Sequence, residues 1–392
     1  MVLNLVYDDL KTKVFLEDIM FSYKYRDYKL FNIDEINTVD KFYYVISHLA
    51  PISVLVNQGE YIPLSVKEKM SSHPNLVVLF LNEHESDHDD AADMLSLKLN
   101  SDGIPLNQVI ISNNNSKISA LCQKVGLMGI ENHRIFTLYS RDFNFHIHNF
   151  KSEKEKLFTC HNRKAKPHRV STLCYLKKFD ILKDTDWSFV RGFEFRETKS
   201  IGGSIDSLFF KQILSDDEIE NFKNEITYLR NIDIKKSEFE DEFDIDNPID
   251  GTINFDLSYK FNSYEHSYIN LALETHYEWK NVIHITEKTL KPFYFLQIPV
   301  ILSTPHHVRE LRETYGFDMF DDLIDHSYDE IIDDKERFKK YIQEVIRLHS
   351  IKDDVIEFYK KNEDRIMYNR QVINNFYVGI DDYMFFKKLS EL

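Results

Sequence analysis

The sequence predicts an α/β protein built from two domains, and three observations support this prediction. Its 392 residues exceed what one compact domain usually contains. Up to residue 150, short apolar runs alternate with helical segments, which is the pattern of a parallel sheet covered on both faces. After the charged segment Lys151–Lys156, a new strand–loop–helix pattern begins. We therefore expect one domain over residues 1–150 and a second domain after it.

The elements of the first domain are predicted from local patterns. Leu76–Leu81 (LVVLFL) is the strongest strand signal, because it is a short apolar run rich in β-forming residues. Phe42–His48 has helical character. The full set comprises an apolar opening at Met1–Tyr7, strands at Ile52–Asn57, Leu76–Leu81, Gln108–Ser112 and Arg134–Ser140, and helices at Phe42–His48 and Val66–Ser71.

The second domain has clearer helix signals. Ser215 is placed to cap a helix at Asp216–Arg230, whose first turn is acidic. Ser237–Asp250 is an acidic insertion, and Asp334–Asn374 is helical with an apolar stripe. The remaining predictions are strands at Leu157–Cys160, Val282–Ile285 and Pro299–Leu302, and helices at Val170–Phe179 and Glu287–Leu296.

Charge and cysteine content narrow the possible function classes. With 65 acidic and 49 basic residues the net charge is −16, so the average charge does not favour nucleic acid, although a local basic patch could still bind it. Cys122, Cys160 and Cys174 lack metal-type spacing and indicate a reducing compartment. No signal peptide or bilayer-length apolar run is visible, so we expect no membrane span and a cytoplasmic location.

Three patterns resemble metal sites, and each has a simpler explanation. His84–His88 matches H-E-x-x-H, but acidic residues follow it instead of an apolar helix face, so an acidic loop is the favoured interpretation. His146 and His148 alternate as on one face of a strand, without an evident third ligand. Asp244–Asp246 matches D-x-D within the acidic insertion, where a solvated loop is expected. We therefore predict no metal site.

A basic loop lies between a predicted strand and a predicted helix. Asn162–Arg169 contains five side chains that can carry positive charge, among them Arg163 and Arg169. Helix N-termini attract anions, and arginine adds bidentate phosphate recognition. A solvated basic loop explains the same residues about equally well, but the position after a strand favours a phosphate site.

The most informative stretch runs from Tyr259 to Pro305. Thr286 can cap a helix that starts at Glu287, which places Lys288 in its first turn. A diphosphate docked there would meet free N–H groups and an ammonium, and Glu287 could accept hydrogen bonds from ribose hydroxyls. An ordinary threonine cap followed by an exposed lysine remains the alternative.

This stretch resembles a known family. The order Tyr259–Lys260–Phe261, then Ala272–Leu273–Glu274, then Ile285–Thr286–Glu287–Lys288, then Pro299–Val300 is similar to the donor-binding C-terminal domain of α-1,3-fucosyltransferases. Asn162 and Arg169 resemble the pattern that opens the same domain. Domains of this kind also resemble phage- and virus-encoded glycosyltransferases, for which the location would be the host cytoplasm.

The resemblance implies a GT-B fold, with two Rossmann-like domains facing a central cleft. It implies an acceptor domain at residues 1–150, a donor domain at 151–345, and C-terminal helices at 346–392 that pack back across the cleft. It further implies that Glu287 contacts the nucleotide ribose, that Lys288 and Arg169 contact phosphate, and that Glu274 lies beside the donor sugar. The full set of expected donor-binding residues is Asn162, Arg163, Arg169, Lys260, Glu274, Thr286, Glu287 and Lys288.

The implied reaction is an inverting, metal-independent sugar transfer from a nucleotide-diphosphate sugar, with no other cofactor. Such a reaction needs stabilisation of the leaving diphosphate and a base for the acceptor hydroxyl. Glu60 is the candidate catalytic base because it follows a predicted strand of the acceptor domain, although a plain surface glutamate is the simpler interpretation. Glu83 and Glu85 are competing candidates.

Two alternatives stay open. One is a non-catalytic protein that binds sugar nucleotides or nucleic acid with the same fold, and the other is a metal-dependent GT-A enzyme using Asp244 and Asp246. The acceptor is a glycan, a protein or a modified DNA base, and the sequence does not indicate the oligomeric state.

Overall fold

A computed structural model describes most of the chain. The described residues are 2–22, 25–48, 61–82, 90–113, 115, 117–131, 149–162, 165–190, 210–232, 234–235, 237–238, 262–280, 282–377, 385–387, 389 and 391. The predicted strands at Ile52–Asn57 and Arg134–Ser140 lie outside these residues.

The chain divides into two compact units. The first comprises Met1–Arg141, Trp279–Ile285 and Asn374–Leu392. The second comprises Asp142–Glu278 and Thr286–Ile373. The domain limits expected at residues 150 and 345 stay predictions.

The first unit contains a six-stranded parallel sheet in the order β2-β1-β3-β4-β5-β6. Its strands are Leu3–Tyr7 (β1), Tyr28–Asn32 (β2), Phe42–His48 (β3), Leu76–Asn82 (β4), Val109–Asn113 (β5) and Met128–Glu131 (β6). Its described helices, apart from single 3-10 turns, include Leu10–Ser22 (α1), Leu64–Ser72 (α2), Ala91–Ser101 (α3) and Ile118–Lys124 (α4).

Both faces of this sheet are buried, as the sequence predicts. Tyr43 and Val77 pack in one hydrophobic cluster, whereas their chain neighbours Tyr44 and Val78 pack in another. Successive side chains of a strand point to opposite faces, so burial of both sets means that both faces are covered. The prediction of an α/β fold with a parallel sheet is confirmed.

The predicted helix at Phe42–His48 is wrong, because this segment is strand β3. It lies between β1 and β4 and pairs with β4 from Phe42–Leu76 to His48–Asn82. Its aromatic and β-branched residues fit a pleated, buried surface. Pairing on both sides satisfies its backbone, and this tertiary gain overrides the weak local helix propensity.

The second unit contains a five-stranded sheet in the order β11-β10-β7-β8-β9. Its strands are Lys156–Asn162 (β7), Thr185–Val190 (β8), Ile234–Lys235 (β9), Ser267–Leu273 (β10) and Ile298–Leu302 (β11). All neighbours pair in parallel except β9, which is antiparallel to β8. The chain leaves β7 toward β8 on one side and later returns to β10 on the other. The strand order therefore reverses between β7 and β10.

The predicted strand at Val282–Ile285 is wrong, and the sequence patterns missed β10. Val282–Ile285 is buried but has no strand pairing. Its apolar side chains are covered as an irregular segment of the first unit, where Ile283 N donates to Asn115 Oδ1 at 3.2 Å. Strand β10 is buried along its whole length and lies between β7 and β11.

The helices of the second unit largely follow the prediction. Ser215 caps its helix through a reciprocal bond with Glu218, and the predicted helix divides at Phe222. The described helices longer than 3-10 turns include Pro167–Lys178 (α5), Asp216–Asn221 (α6), Lys223–Arg230 (α7), Asn262–Glu265 (α8), Glu287–Tyr294 (α9), His307–Glu313 (α10), Asp334–Ser350 (α11), Lys352–Lys361 (α12) and Glu363–Tyr377 (α13). Across the part of the chain that the structure describes, none of the helices is both long and apolar enough to cross a membrane.

Candidate functional site

The structure describes six of the nine residues that the sequence nominates for the site. Asn162, Arg169, Glu274, Thr286, Glu287 and Lys288 all belong to the second unit. Glu60, Arg163 and Lys260 lie outside the described residues, as do Glu83, Glu85, His84–His88, His146, His148, Asp244 and Asp246.

The six described residues lie at the carboxyl ends of two adjacent strands or at the start of the helix that comes after each strand in the chain. Asn162 is the last residue of β7, and Glu274 directly follows β10. The strand order reverses between these two strands. Ligands of open α/β sheets bind outside the carboxyl ends of strands at such a reversal.

The head of helix α9 has the cap that the sequence predicts. Thr286 is extended, and its Oγ1 accepts the backbone N–H of Lys288 at 3.2 Å. Glu287 and Lys288 are therefore the first two residues of the helix, where unpaired N–H groups and the helix dipole favour negative charge. The Thr286 cap is confirmed, whereas the ligand contacts of these residues stay predictions.

Glu274 holds this helix head from the end of β10. Its side chain is fully buried, and its carboxylate accepts the Thr286 backbone N–H at 3.2 Å and the Thr286 hydroxyl at 2.7 Å. It also accepts the Thr289 hydroxyl at 2.6 Å and the Thr275 N–H at 3.2 Å. Burial raises the pKa of Glu274, but the positive charge of Lys288 and hydrogen bonds such as that from Thr289 outweigh burial, so the pKa lies below its usual range. Glu274 is thus an ionised, hydrogen-bonded anchor.

Thr289 connects this anchor to helix α10. Its Oγ1 lies 3.0 Å from Nε2 of His307, the first residue of α10, and both side chains are fully buried. Burial lowers the pKa of His307 to about 4, against an opposing effect of the Glu274 charge, so the imidazole is neutral near pH 7. Its Nδ1 has no hydrogen-bond partner among the described residues.

Glu287 and Lys288 form an ion pair at the start of α9. The Lys288 ammonium contacts the Glu287 carboxylate, and the lysine side chain is 26% exposed, against 6% for the glutamate. Burial raises the pKa of Glu287, but the positive charges of Lys288 and Lys291 have a larger, opposite effect. The net pKa is lowered, so this carboxylate is ionised. The Lys288 side chain is therefore partly exposed, whereas its partner is buried.

The described part of the basic loop holds the segment after β10. Arg169 is 2% exposed, and it donates from Nε to the Leu273 carbonyl at 3.2 Å and from Nη2 to Thr275 Oγ1 at 3.4 Å. Lys166 donates to the Thr275 carbonyl at 2.9 Å. These bonds fix the backbone on either side of Glu274, so Arg169 supports the site through β10.

A buried stack secures the same segment two residues later. The Tyr277 ring stacks on His168 at 5.0 Å between centroids, and the Arg337 guanidinium lies 4.4 Å from its centroid. Arg337 also donates to the carbonyls of Tyr277 at 2.6 Å and of Ser303 at 3.1 Å, which follow β10 and β11. Burial lowers the pKa of His168 well below its usual range, so it stacks as a neutral ring.

Sequence patterns missed several of these supporting residues. Thr289, His307, Tyr277 and Arg337 all contact the site or its backbone. A signal existed only for Thr289, because its spacing from Thr286 places two hydroxyls on one side of the first helical turn. The partners of His307 and Arg337 depend on tertiary packing, which local spacing does not encode.

The head of α9 is suited to an anion. Lys288 offers an ammonium, on a partly exposed side chain, at the positive end of a helix. Within the described residues, no cluster of three or more His, Cys, Asp or Glu side chains could hold a metal ion. Glu274 and Glu287 are instead engaged by hydroxyl, N–H and ammonium donors.

A separate open groove of about 540 Å³ lies elsewhere in the second unit. Its lining runs from Arg312 to Arg347 and includes none of the six site residues. Arg312 pairs there with Asp321 at 2.5 Å. The other charged lining residues are Asp322, Asp325, Glu330 and Arg347. The groove therefore carries side chains of both charges, with more carboxylates than guanidinium groups.

The comparisons with known proteins give weak structural similarities. No family model matches this chain, and no curated protein does. Among solved structures, the N-terminal domain of Candida albicans trehalose-6-phosphate phosphatase is 9% identical with a TM-score of 0.43, over 98% of this chain and 76% of that one. An α1,3-fucosyltransferase is 9% identical with a TM-score of 0.33, over 95% of this chain and 89% of that one. A structure of α1,3-fucosyltransferase with GDP-fucose is 9% identical with a TM-score of 0.31, over 95% and 90%. Scores this low carry no conclusion about activity.

Proposed function

We propose that this chain is a glycosyltransferase that moves a sugar from a nucleotide-diphosphate-sugar donor to an acceptor hydroxyl. The proposal includes an inverting reaction without a metal ion and the GT-B architecture that the sequence resemblance implies. The observation that carries it is the position of Lys288, a partly exposed lysine in the first turn of a capped helix that is held to the carboxyl end of β10. A charge-assisted contact to diphosphate oxygens is the chemistry that this geometry serves.

The Glu287–Lys288 pair supports recognition of a nucleotide rather than of free phosphate. A diphosphate approaching Lys288 would compete with the Glu287 carboxylate for the same ammonium. A ribose offers hydroxyl donors that the ionised Glu287 can accept in exchange. In the proposed complex, the diphosphate takes Lys288 and the ribose takes Glu287, so neither charge is left unpaired.

Other residues are proposed to act around this pair. Asn162 has a buried Oδ1 without a hydrogen-bond partner among the described residues, which leaves an acceptor available at the end of β7. Arg163, Lys260 and Arg169 are proposed donor-site residues on the strength of the sequence resemblance. Glu274 is fully buried, and we propose that it acts through Thr286 and not by touching the sugar.

The proposed reaction is a displacement at the anomeric carbon of the donor sugar. The acceptor oxygen forms a new bond to that carbon while the bond to the diphosphate oxygen breaks, and a carboxylate takes the acceptor proton. Lys288 and the positive end of α9 would stabilise the charge that develops on the leaving diphosphate. Glu60 is the proposed base.

Binding measurements on a matched pair of variants test the donor assignment. Nucleoside diphosphates and their sugars, GDP-fucose included, are titrated by calorimetry against wild type, Lys288→Ala and Lys223→Ala. Lys223 is an exposed lysine that pairs with Glu220 at 3.0 Å on another part of the unit. We expect Lys288→Ala to weaken diphosphate binding by about 1.5–3 kcal/mol and nucleoside binding much less, because a charge-assisted bond is lost. Equal losses for both ligands would contradict the phosphate assignment.

Turnover then separates the enzyme from its alternatives. We expect the wild type to transfer sugar to an acceptor or to hydrolyse the donor, and to keep this activity in EDTA. Tight donor binding without either reaction would instead indicate a non-catalytic binding protein. Loss of activity in EDTA would indicate a metal-dependent enzyme.

A further inference from the structure

Three buried side chains form a continuous hydrogen-bonded chain behind the head of α9. Thr289 Oγ1 lies 2.6 Å from Glu274 Oε1 and 3.0 Å from His307 Nε2. All three side chains are fully buried. Because Thr289 Oγ1 bridges the other two side chains away from solvent, the proton positions of the three groups are coupled.

The proton arrangement follows from the chemistry of the three groups. An ionised carboxylate only accepts hydrogen bonds, so the single hydroxyl proton of Thr289 must point at Glu274. Thr289 Oγ1 then has only lone pairs left for His307, so Nε2 must carry the imidazole proton. With the proton on Nδ1 instead, the bare Nε2 would compete with Glu274 for the hydroxyl proton.

We propose that His307 is a positioning residue for the head of α9. Its Nε2–H holds the Thr289 hydroxyl proton on Glu274, and Glu274 in turn holds the Thr286 cap that places Lys288. Only the ligand that Lys288 binds rests on the proposed function, whereas the positioning itself is a property of the free protein.

A purely space-filling histidine would give different results. Filling space does not depend on which ring nitrogen carries the proton, and a substitution would then lower global stability without a local effect on Thr286 or Lys288. The test therefore measures the tautomer, the local protection of the cap and the ligand discrimination.

The tautomer is measured first, on the wild-type chain without any ligand. Nitrogen NMR of the His307 ring is expected to show a proton on Nε2 and none on Nδ1. A proton on Nδ1 would overturn the proposal, and this result is independent of nucleotide binding and of any variant.

Hydrogen exchange on threonine variants measures the local effect. Thr289→Val keeps the shape and removes the hydroxyl, and it should speed exchange of the Thr286 and Lys288 amides on the order of tenfold, because Glu274 loses the donor that orients it. Thr289→Ser should restore slow exchange. Thr185→Val is the control, since the Thr185 hydroxyl is also buried but donates to the Ile181 carbonyl at 2.9 Å. Unchanged amide exchange in Thr289→Val would contradict the inference.

Variants of His307 complete the test. The side-chain amide of His307→Gln can place a donor near the position of Nε2, whereas His307→Leu has none. We expect His307→Leu to reduce the ratio of diphosphate to nucleoside affinity and to loosen the Thr286 amide, and His307→Gln to retain both. Equal behaviour of the two variants would overturn the proposal. If the wild type binds no nucleotide, the donor assignment fails, and the tautomer and exchange results still decide the positioning role.

Discussion

Thr286 Oγ1 lies 2.7 Å from Glu274 Oε2, although 12 positions separate the two residues in the chain. The same hydroxyl accepts the Lys288 N–H at 3.2 Å, so one threonine joins the end of β10 to the first turn of α9. A helix cap of this kind usually depends on local residues alone. Here a buried carboxylate that directly follows β10 holds the cap, and with it the first turn of α9.

Replacing the carboxylate of Glu274 tests how much this connection contributes. Glu274→Gln keeps the size of the side chain, but one carboxylate oxygen becomes an NH₂ group that cannot accept from Thr286. We expect the free energy of unfolding to fall by about 1.5–3 kcal/mol, the range for hydrogen bonds to a charged group. Urea unfolding of this variant is compared with Glu278→Gln, an exposed position four residues later. A similar small loss in both variants would mean that Glu274 does not anchor the helix.

Because several histidines are buried, we expect the protein to lose stability in mild acid. Because burial lowers the pKa of His307 to about 4 from 6.5, the unfolded chain binds a proton that the native state excludes. The stability that depends on a neutral His307 is therefore fully present above pH 6.5. It is lost as the pH falls toward 4, which lowers the free energy of unfolding by about 3 kcal/mol. His168 and His326 act in the same direction, since burial also lowers the pKa of each.

Two carboxyl groups also affect how stability depends on pH in this range. Burial raises the pKa of Asp329 to about 6, so Asp329 adds stability as the pH falls and partly offsets the histidines. The pKa of Glu274 is lowered from 4.5, so the stability that its ionised form provides is lost only below pH 4.5. Between pH 7 and 4.5, the free energy of unfolding should depend less steeply on pH for His307→Gln than for wild type. Parallel curves would show that His307 is not buried as a neutral ring.

A structural feature could be predicted from the sequence when the residues that determine it lie close together in the chain. The Thr286 and Ser215 caps are predicted correctly because a cap is defined by residues within one helical turn. Phe42–His48 and Val282–Ile285 are assigned wrongly because both are decided by the strand neighbours they have or lack. The role of Glu274 as a buried anchor also required tertiary structure, since its partners Thr286 and Thr289 lie on another element.

Arg169 offers a test of whether a predicted phosphate ligand acts directly or through the backbone. Its guanidinium donates to Leu273 and Thr275 from a buried position, and a lysine cannot reproduce both directional bonds. We expect Arg169→Lys to lower the free energy of unfolding by about 1–3 kcal/mol, because a buried carbonyl loses its donor. Arg230→Lys, an exposed position at the end of α7, is the control. Unchanged stability together with a selective loss of diphosphate affinity would favour a direct phosphate contact.

The catalytic base is the part of the proposal that kinetics can isolate. If Glu60 takes the acceptor proton, Glu60→Gln leaves donor affinity nearly unchanged, because the amide keeps the shape of the side chain and the donor does not need the proton acceptor. Turnover at saturating acceptor should fall by about 10²–10⁴, the usual contribution of a general base. Glu68→Gln, an exposed glutamate on α2, is expected to retain full turnover. Normal turnover in Glu60→Gln would remove Glu60 from the site, and the same assay on Glu83→Gln and Glu85→Gln would then identify which carboxylate accepts the proton.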